Sequence, residues 1–165
     1  MRLEYRIAAV TALIGLSCAA PARAEGTISV AFDSASAPRP TVGFGFGRAP
    51  RPVGFEVEFA TTAGHASSTQ TAVGTAAVSV LVNTPLRIGA TSVYALAGFG
   101  VYGETGGGSS SGAAGALHVG AGAAVPLKGP VKLRLEYRFI ALREHEGPVV
   151  STHPQRVSAG ISVGF

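Results

Sequence analysis

The chain of 165 residues is 47% hydrophobic and 13% charged, with 23 glycines, one cysteine and no tryptophan. That size suits one domain, and so little charge excludes a disordered tail or a solvated helical bundle. Cys18 stands alone, which excludes a disulfide-stapled scaffold, and the glycines follow no triplet period, which excludes collagen. The formal charge of +4 points at first toward nucleic acid, but setting aside Arg2, Arg6, Arg23 and Glu4 takes 13 basic and 9 acidic side chains to 10 and 8. Without a basic stripe interleaved with aromatics, no nucleic-acid partner is expected.

The first 24 residues read as a leader. Met1–Arg6 is short and net positive, an apolar run follows from Ile7 to Ala20, and Ala22-Arg23-Ala24 places small residues where a signal peptidase reads them. The 14-residue run would span only ~21 Å as a helix, short of a ~30 Å hydrocarbon core. Cleavage after Ala24 is therefore expected, with residues 25–165 exported as one domain. A lipid-acceptor role for Cys18 fits poorly, because Gly15 stands where a large aliphatic residue is wanted.

Beyond Ala24 no segment keeps helical spacing over three turns; the apolar residues recur at every second position, which is the strand signature. Eight strands are expected: Thr27–Asp33, Thr41–Gly47, Val53–Thr61, Thr71–Val82, Ser92–Tyr102, Ala114–Val125, Val131–Ala141 and Gln155–Phe165. The third sets Val53, Phe55, Val57 and Phe59 against Gly54, Glu56, Glu58 and Ala60. The seventh sets Val131, Leu133, Leu135, Tyr137 and Phe139 against Lys132, Arg134, Glu136 and Arg138. Links alternate too. Ser34–Pro40, Ala63–Gln70, Gly103–Gly112 and Leu142–Pro154 are polar or Gly/Ser-rich, whereas Arg48–Pro52 and Pro126–Pro130 are tight and Asn83–Thr91 is longer.

Short turns at one rim and longer loops at the other suit an eight-stranded antiparallel up-and-down transmembrane β-barrel. An even strand number lets the first and last strands pair and remove the sheet edges. A soluble periplasmic or secreted barrel binding a small apolar ligand also alternates, with its apolar face turned inward. Two features favour the inverted arrangement. The non-apolar face is mostly Gly, Ala and Ser, which suits a narrow interior better than a wet surface. The last strand places Val157, Ala159, Ile161, Val163 and the terminal Phe165 on one face.

Gly98-Phe-Gly-Val101, Gly120-Ala-Gly-Ala123 and Leu133-Arg-Leu-Glu-Tyr-Arg-Phe139 together resemble the outer-membrane β-barrel family, the small eight-stranded group with OmpA-type and opacity-type members. Val42–Gly47 followed by Gly54–Phe59 is similar to that family's earlier hairpin. The resemblance implies residence in a bacterial outer membrane among its lipids, with a structural or surface-interaction role and at most a narrow gated pore. It also implies that Val157, Ala159, Ile161, Val163 and Phe165 form an assembly signal read by the outer-membrane assembly machinery. The lipid face would comprise Phe44, Phe46, Phe55, Phe59, Phe99, Tyr137, Phe139, Phe165 and neighbouring aliphatics.

On this orientation Asp33, Glu56, Glu58, Lys132, Arg134, Glu136, Arg138 and Arg156 face inward. Ions away from bulk water need partners, so Glu56, Glu58 and Glu136 are expected to face Arg134 and Arg138 in a lumen charge cluster; charges wetted by a water-filled lumen are the alternative. Glu56 and Glu58 lie ~7 Å apart along one strand face, without a sugar cleft to make them a glycosidase pair. His118 reads as a lone packed or hydrated histidine, and His65, His145 and His153 as solvated loop residues. No metal site, no cofactor and no enzyme activity are expected, since Ser151-Thr152-His153 has no oriented partner and no phosphate-binding glycine motif occurs. Of the loops, residues 142–154 suit an external ligand best, with Arg143, Glu144, His145, Glu146 and His153 in one stretch. The Gly106–Gly112 run is too flexible to be a preorganised surface.

Overall fold

The computed structural model describes residues 24–34, 38–48, 52–62, 72–105, 113–143 and 154–165. Residues 1–23, residues 49–51 and the tips of the four longer loops lie outside them. So do His65, Ser151 and the 144–153 part of the loop proposed for ligand contact.

Eight strands form: β1 (Ala24–Ser34), β2 (Pro38–Arg48), β3 (Val53–Thr62), β4 (Ala72–Ile88), β5 (Thr91–Thr105), β6 (Ala113–Pro126), β7 (Val131–Leu142) and β8 (Gln155–Gly164). Each pairs antiparallel with its sequence neighbours, and β1 pairs with β8, so the sheet closes as a barrel. The closing seam runs from Glu25 opposite Gly164 to Ser34 opposite Gln155. Closure gives every strand two partners and leaves no open row of backbone donors and acceptors, which lipid could not satisfy.

The alternation decides which side is which. On β3, β7 and β8 the apolar residues point out and the polar ones in: Val53, Phe59, Leu135, Tyr137, Val157 and Ile161 are exposed, whereas Glu56, Glu58, Arg134, Glu136, Arg138 and Arg156 are buried. Phe32, Phe44, Phe46, Phe99, Leu117 and Phe139 extend the apolar outer band around the barrel. In water such a continuous apolar surface would be an aggregation hazard; in a hydrocarbon layer it is the matching solvent. Phe55, expected among the lipid-facing residues, is only half exposed.

Strand boundaries differ from the sequence expectation, most clearly in β1 and β2, in β4 and β5, and at the end of β8. β1 and β2 have 11 residues each, longer than the seven-residue periodic cores, because Pro40 and Arg39 still pair with Phe32 and Asp33. Asn83–Thr91 is not a long link. β4 runs on to Ile88, with a register shift between Asn83 and Arg87 that absorbs Pro85 where no ladder hydrogen bond is required. The connection then shrinks to Gly89-Ala90, and Gly89 at φ +63° takes the left-handed position that a two-residue hairpin demands. Gly129, at φ +60°, is likewise left-handed in the four-residue β6–β7 turn, where the Val131 N–H donates to the Lys128 carbonyl at 3.2 Å. β8 stops at Gly164, yet the Phe165 N–H still donates to the Ala24 carbonyl at 2.9 Å.

Candidate functional site

Eight strands enclose a space just wide enough for side chains, so the chemistry of the interior is set by which inward residues lie at the same level. Three levels run from the turn end to the loop end. At the turn end Lys132 of β7 donates to Glu25 of β1 at 3.0 Å, and the second Glu25 oxygen accepts from Ser162. A cavity of about 240 Å³ opens here, with Leu81, Asn83, Ser92, Tyr94 and Ala124 on its wall and Arg134 and Glu56 at its floor.

The middle level is packed. Arg134 reaches Glu56 on one side and Glu136 on the other, and donates to the Thr27 hydroxyl at 3.0 Å and to the Tyr94 hydroxyl oxygen at 3.1 Å. Its guanidinium lies 5.4 Å from the centre of the Tyr94 ring, and the Tyr94 hydroxyl donates to Glu136 at 2.5 Å. Two repeats of the pleat further on, Arg138 meets Glu58 at 2.7 Å, Glu136 at 2.7 Å and Glu56 at 3.5 Å. The space bounded by Thr27, Gly45, Glu56, Glu58, Arg134 and Glu136 amounts to about 10 Å³, room for one water at most.

Toward the loops Arg156 of β8 grips Asp33 of β1 through two nitrogens, at 2.7 and 2.9 Å, and also reaches Glu58 at 3.1 Å. Asp33 further accepts from Thr41 and Thr62, whose hydroxyls meet at 2.7 Å. Glu58 thus joins the middle level to the outer one, and the ion pairs continue from Glu56 to Asp33 without a break. Planar guanidinium forks suit this arrangement because each presents several donors to several carboxylates.

The outer surface and the closed strand order together describe a barrel that sits in lipid, and known proteins share its pattern. The sequence profile of the outer membrane protein beta-barrel domain family matches residues 8–165. The chain belongs to that family. Among solved structures, the Neisserial surface protein A superposes with a TM-score of 0.69 at 19% identity, covering 86% of this chain and 96% of that one. The N-terminal β-barrel domain of Pseudomonas aeruginosa OprF gives 0.65 at 13% identity, covering 86% and 96%. The attachment invasion locus protein of Yersinia pestis gives 0.57 at 17%, covering 87% and 99%. No curated protein sequence matches significantly.

Within this outer-membrane barrel, Glu56, Glu58, Arg134, Glu136 and Arg138 all lie in one network. Carboxylate oxygens of Glu56, Glu58 and Glu136 come within 4.8 Å of one another, a spacing that could hold a cation. Arg134 and Arg138 supply that positive charge themselves. Residues that pattern alone left out of the cluster are Tyr94, Asp33, Arg156 and Glu25. Parity put all but Glu25 on the inward face; the level of each along the barrel axis needed the strand register. His118 is not alone: its Nε2 lies 2.9 Å from the Ser79 hydroxyl on the neighbouring wall. A serine and histidine at that distance could act as nucleophile and base, but at 1% and 5% exposure they are sealed in the lumen. Val157, Ile161, Val163 and Phe165 stand exposed on the outer face beside half-buried Ala159.

Proposed function

We propose that the mature chain is a closed, non-catalytic outer-membrane barrel whose work is structural and surface-directed, not transport. The observation that carries this reading is the filled middle of the lumen, where Arg134 and Arg138 bridge Glu56, Glu58 and Glu136 and the gap lined by Glu56, Glu58, Arg134 and Glu136 amounts to about 10 Å³. Leader cleavage after Ala24, recognition of the β8 face by the assembly machinery, and external contact through residues 142–154 complete the proposal. Cleavage there leaves β1 starting at Glu25, so the Ala24–Arg48 pair and the Phe165 N–H bond to the Ala24 carbonyl are given up, and the seam from Glu25–Gly164 onward is kept. The sealed Ser79–His118 pair supports a packing role over a catalytic one.

Planar-bilayer recording tests the closed interior. The chain should show no steady conductance, and Glu56→Ala or Arg138→Ala should open at most a narrow channel. A wide channel in the unmodified chain overturns the proposal, and unchanged silence in both variants excludes gating by these pairs. Adhesion or serum survival of cells lacking residues 142–154 separates surface contact from a purely structural role.

A further inference from the structure

The turn end of the barrel carries cations that no described acid pairs: Arg48 and Arg87 line the mouth of the cavity there, and Lys128 sits in the adjoining turn. Glu25 is the acid at this end among the described residues, and it is committed to Lys132 and Ser162. Arg48, Arg87 and Lys128 have no ion-pair partner among the described residues. They are spread around the rim, Arg48 at the end of β2, Arg87 in the β4–β5 hairpin and Lys128 in the β6–β7 turn. Large apolar side chains stand beside two of them. Leu86 and Ile88 flank Arg87 at 66% and 76% exposure, and Leu127 precedes Lys128 at 57%.

A turn tip in water favours Gly, Asn, Asp and Ser. Exposed leucine and isoleucine next to an unpaired cation instead match the boundary layer of a membrane, apolar side chain among the acyl ends and cation at the level of the phosphates. Short turns mark the periplasmic side in barrels of this kind. We propose that this rim is a docking surface for anionic phospholipid headgroups of the periplasmic leaflet, with Arg48, Arg87 and Lys128 taking the phosphates and Leu86, Ile88 and Leu127 anchoring in the acyl boundary. The assignment rests on the membrane-spanning reading and adds a headgroup preference to it.

The chain folded in zwitterionic micelles is titrated with short-chain phosphatidylglycerol, short-chain phosphatidylcholine or inorganic phosphate, while backbone amide shifts are followed. Phosphatidylglycerol should move the amides around Arg48, Arg87–Ala90 and Leu127–Gly129 at low concentration; the other two should not. The combined Arg48→Gln, Arg87→Gln, Lys128→Gln variant should weaken the response at least ~tenfold at low salt, and the difference should shrink as salt rises. Arg143→Gln, at the opposite rim, should stay within about twofold. Equal responses to the two lipids, or an undiminished response in the triple variant, overturn the proposal. Saturation by inorganic phosphate alone overturns it in favour of a free-anion site, and masking of the rim only by a periplasmic protein in cells makes it a protein interface. Each variant is first checked for the faster migration of the unboiled barrel on a gel. Absence of that band in the unmodified chain would strike at the membrane-spanning reading itself.

Discussion

The two walls of the lumen are built from opposite materials. β1, β3, β7 and β8 deliver the long charged side chains, from Glu25 and Asp33 to Arg138 and Arg156, whereas β2 and β6 face them mainly with glycine and alanine, and β5 with Gly98 and Gly100 beside Tyr94, Leu96 and Tyr102. The glycines stand where those long chains need room. A Cβ on Gly45 would meet the Glu56 carboxyl carbon at 3.1 Å and one on Gly120 the Arg138 Cγ at 3.2 Å; within the small wall, one on Gly122 would meet the Tyr94 ring at 2.4 Å. The lesson is that the ion-pair network and the glycine-rich strands are one feature: length on one wall fits only because volume is missing on the other.

The largest expected effect comes from filling the small wall. Gly120→Val and Gly122→Val should both abolish the compact unboiled band, since overpacking a rigid interior forces backbone shifts costing about 1–3 kcal/mol or more. The two should part company on rescue. The obstacle at Gly122 is the Tyr94 side chain, so Tyr94→Ala should restore folding; at Gly120 it is the Tyr137 carbonyl, 2.2 Å away, and no side-chain trimming should help. Emptying the charged wall should cost somewhat less. Arg138→Met leaves Glu56, Glu58 and Glu136 short of a cation and should lower stability by about 3–5 kcal/mol in denaturant titrations of the refolded barrel. Adding Glu136→Gln should recover part of that loss, and a variant as stable as the parent would show that water already screens these charges. The smallest effect belongs to the open end. Lys132, whose side chain keeps 32% of its exposure beside Glu25, should tolerate Lys132→Met with a loss below about 1 kcal/mol in the same titration.

Period-two alternation makes the strand number, the antiparallel order and the inward set legible in the sequence, because one face of each strand meets lipid and the other the lumen. Val53–Phe59 and Val131–Phe139 carry that signal cleanly. Pro85 obscured it, since a proline inside a run argues against a strand and only the register shift at Asn83 shows where it is accommodated. Site residues were legible by face and not by level. Glu58 lies near both Arg138 and Arg156, and Asp33 meets Arg156, only because eight staggered registers bring distant positions to one height. Glu25 escaped notice at the leader boundary, and Tyr94 because a tyrosine on an otherwise small face gives no hint of two partners across the lumen.

The grip of Arg156 on Asp33 joins residues 123 positions apart and lies directly across the β1–β8 seam. It therefore makes the partner of a buried charge on the first strand depend on the arrival of the last. A nascent or truncated chain that has not delivered its last strand presents Asp33 with no arginine and an unpaired sheet edge beside it, two defects that hydrocarbon punishes together. The same strand that brings the arginine removes the edge, so one pairing event completes both the charge and the sheet.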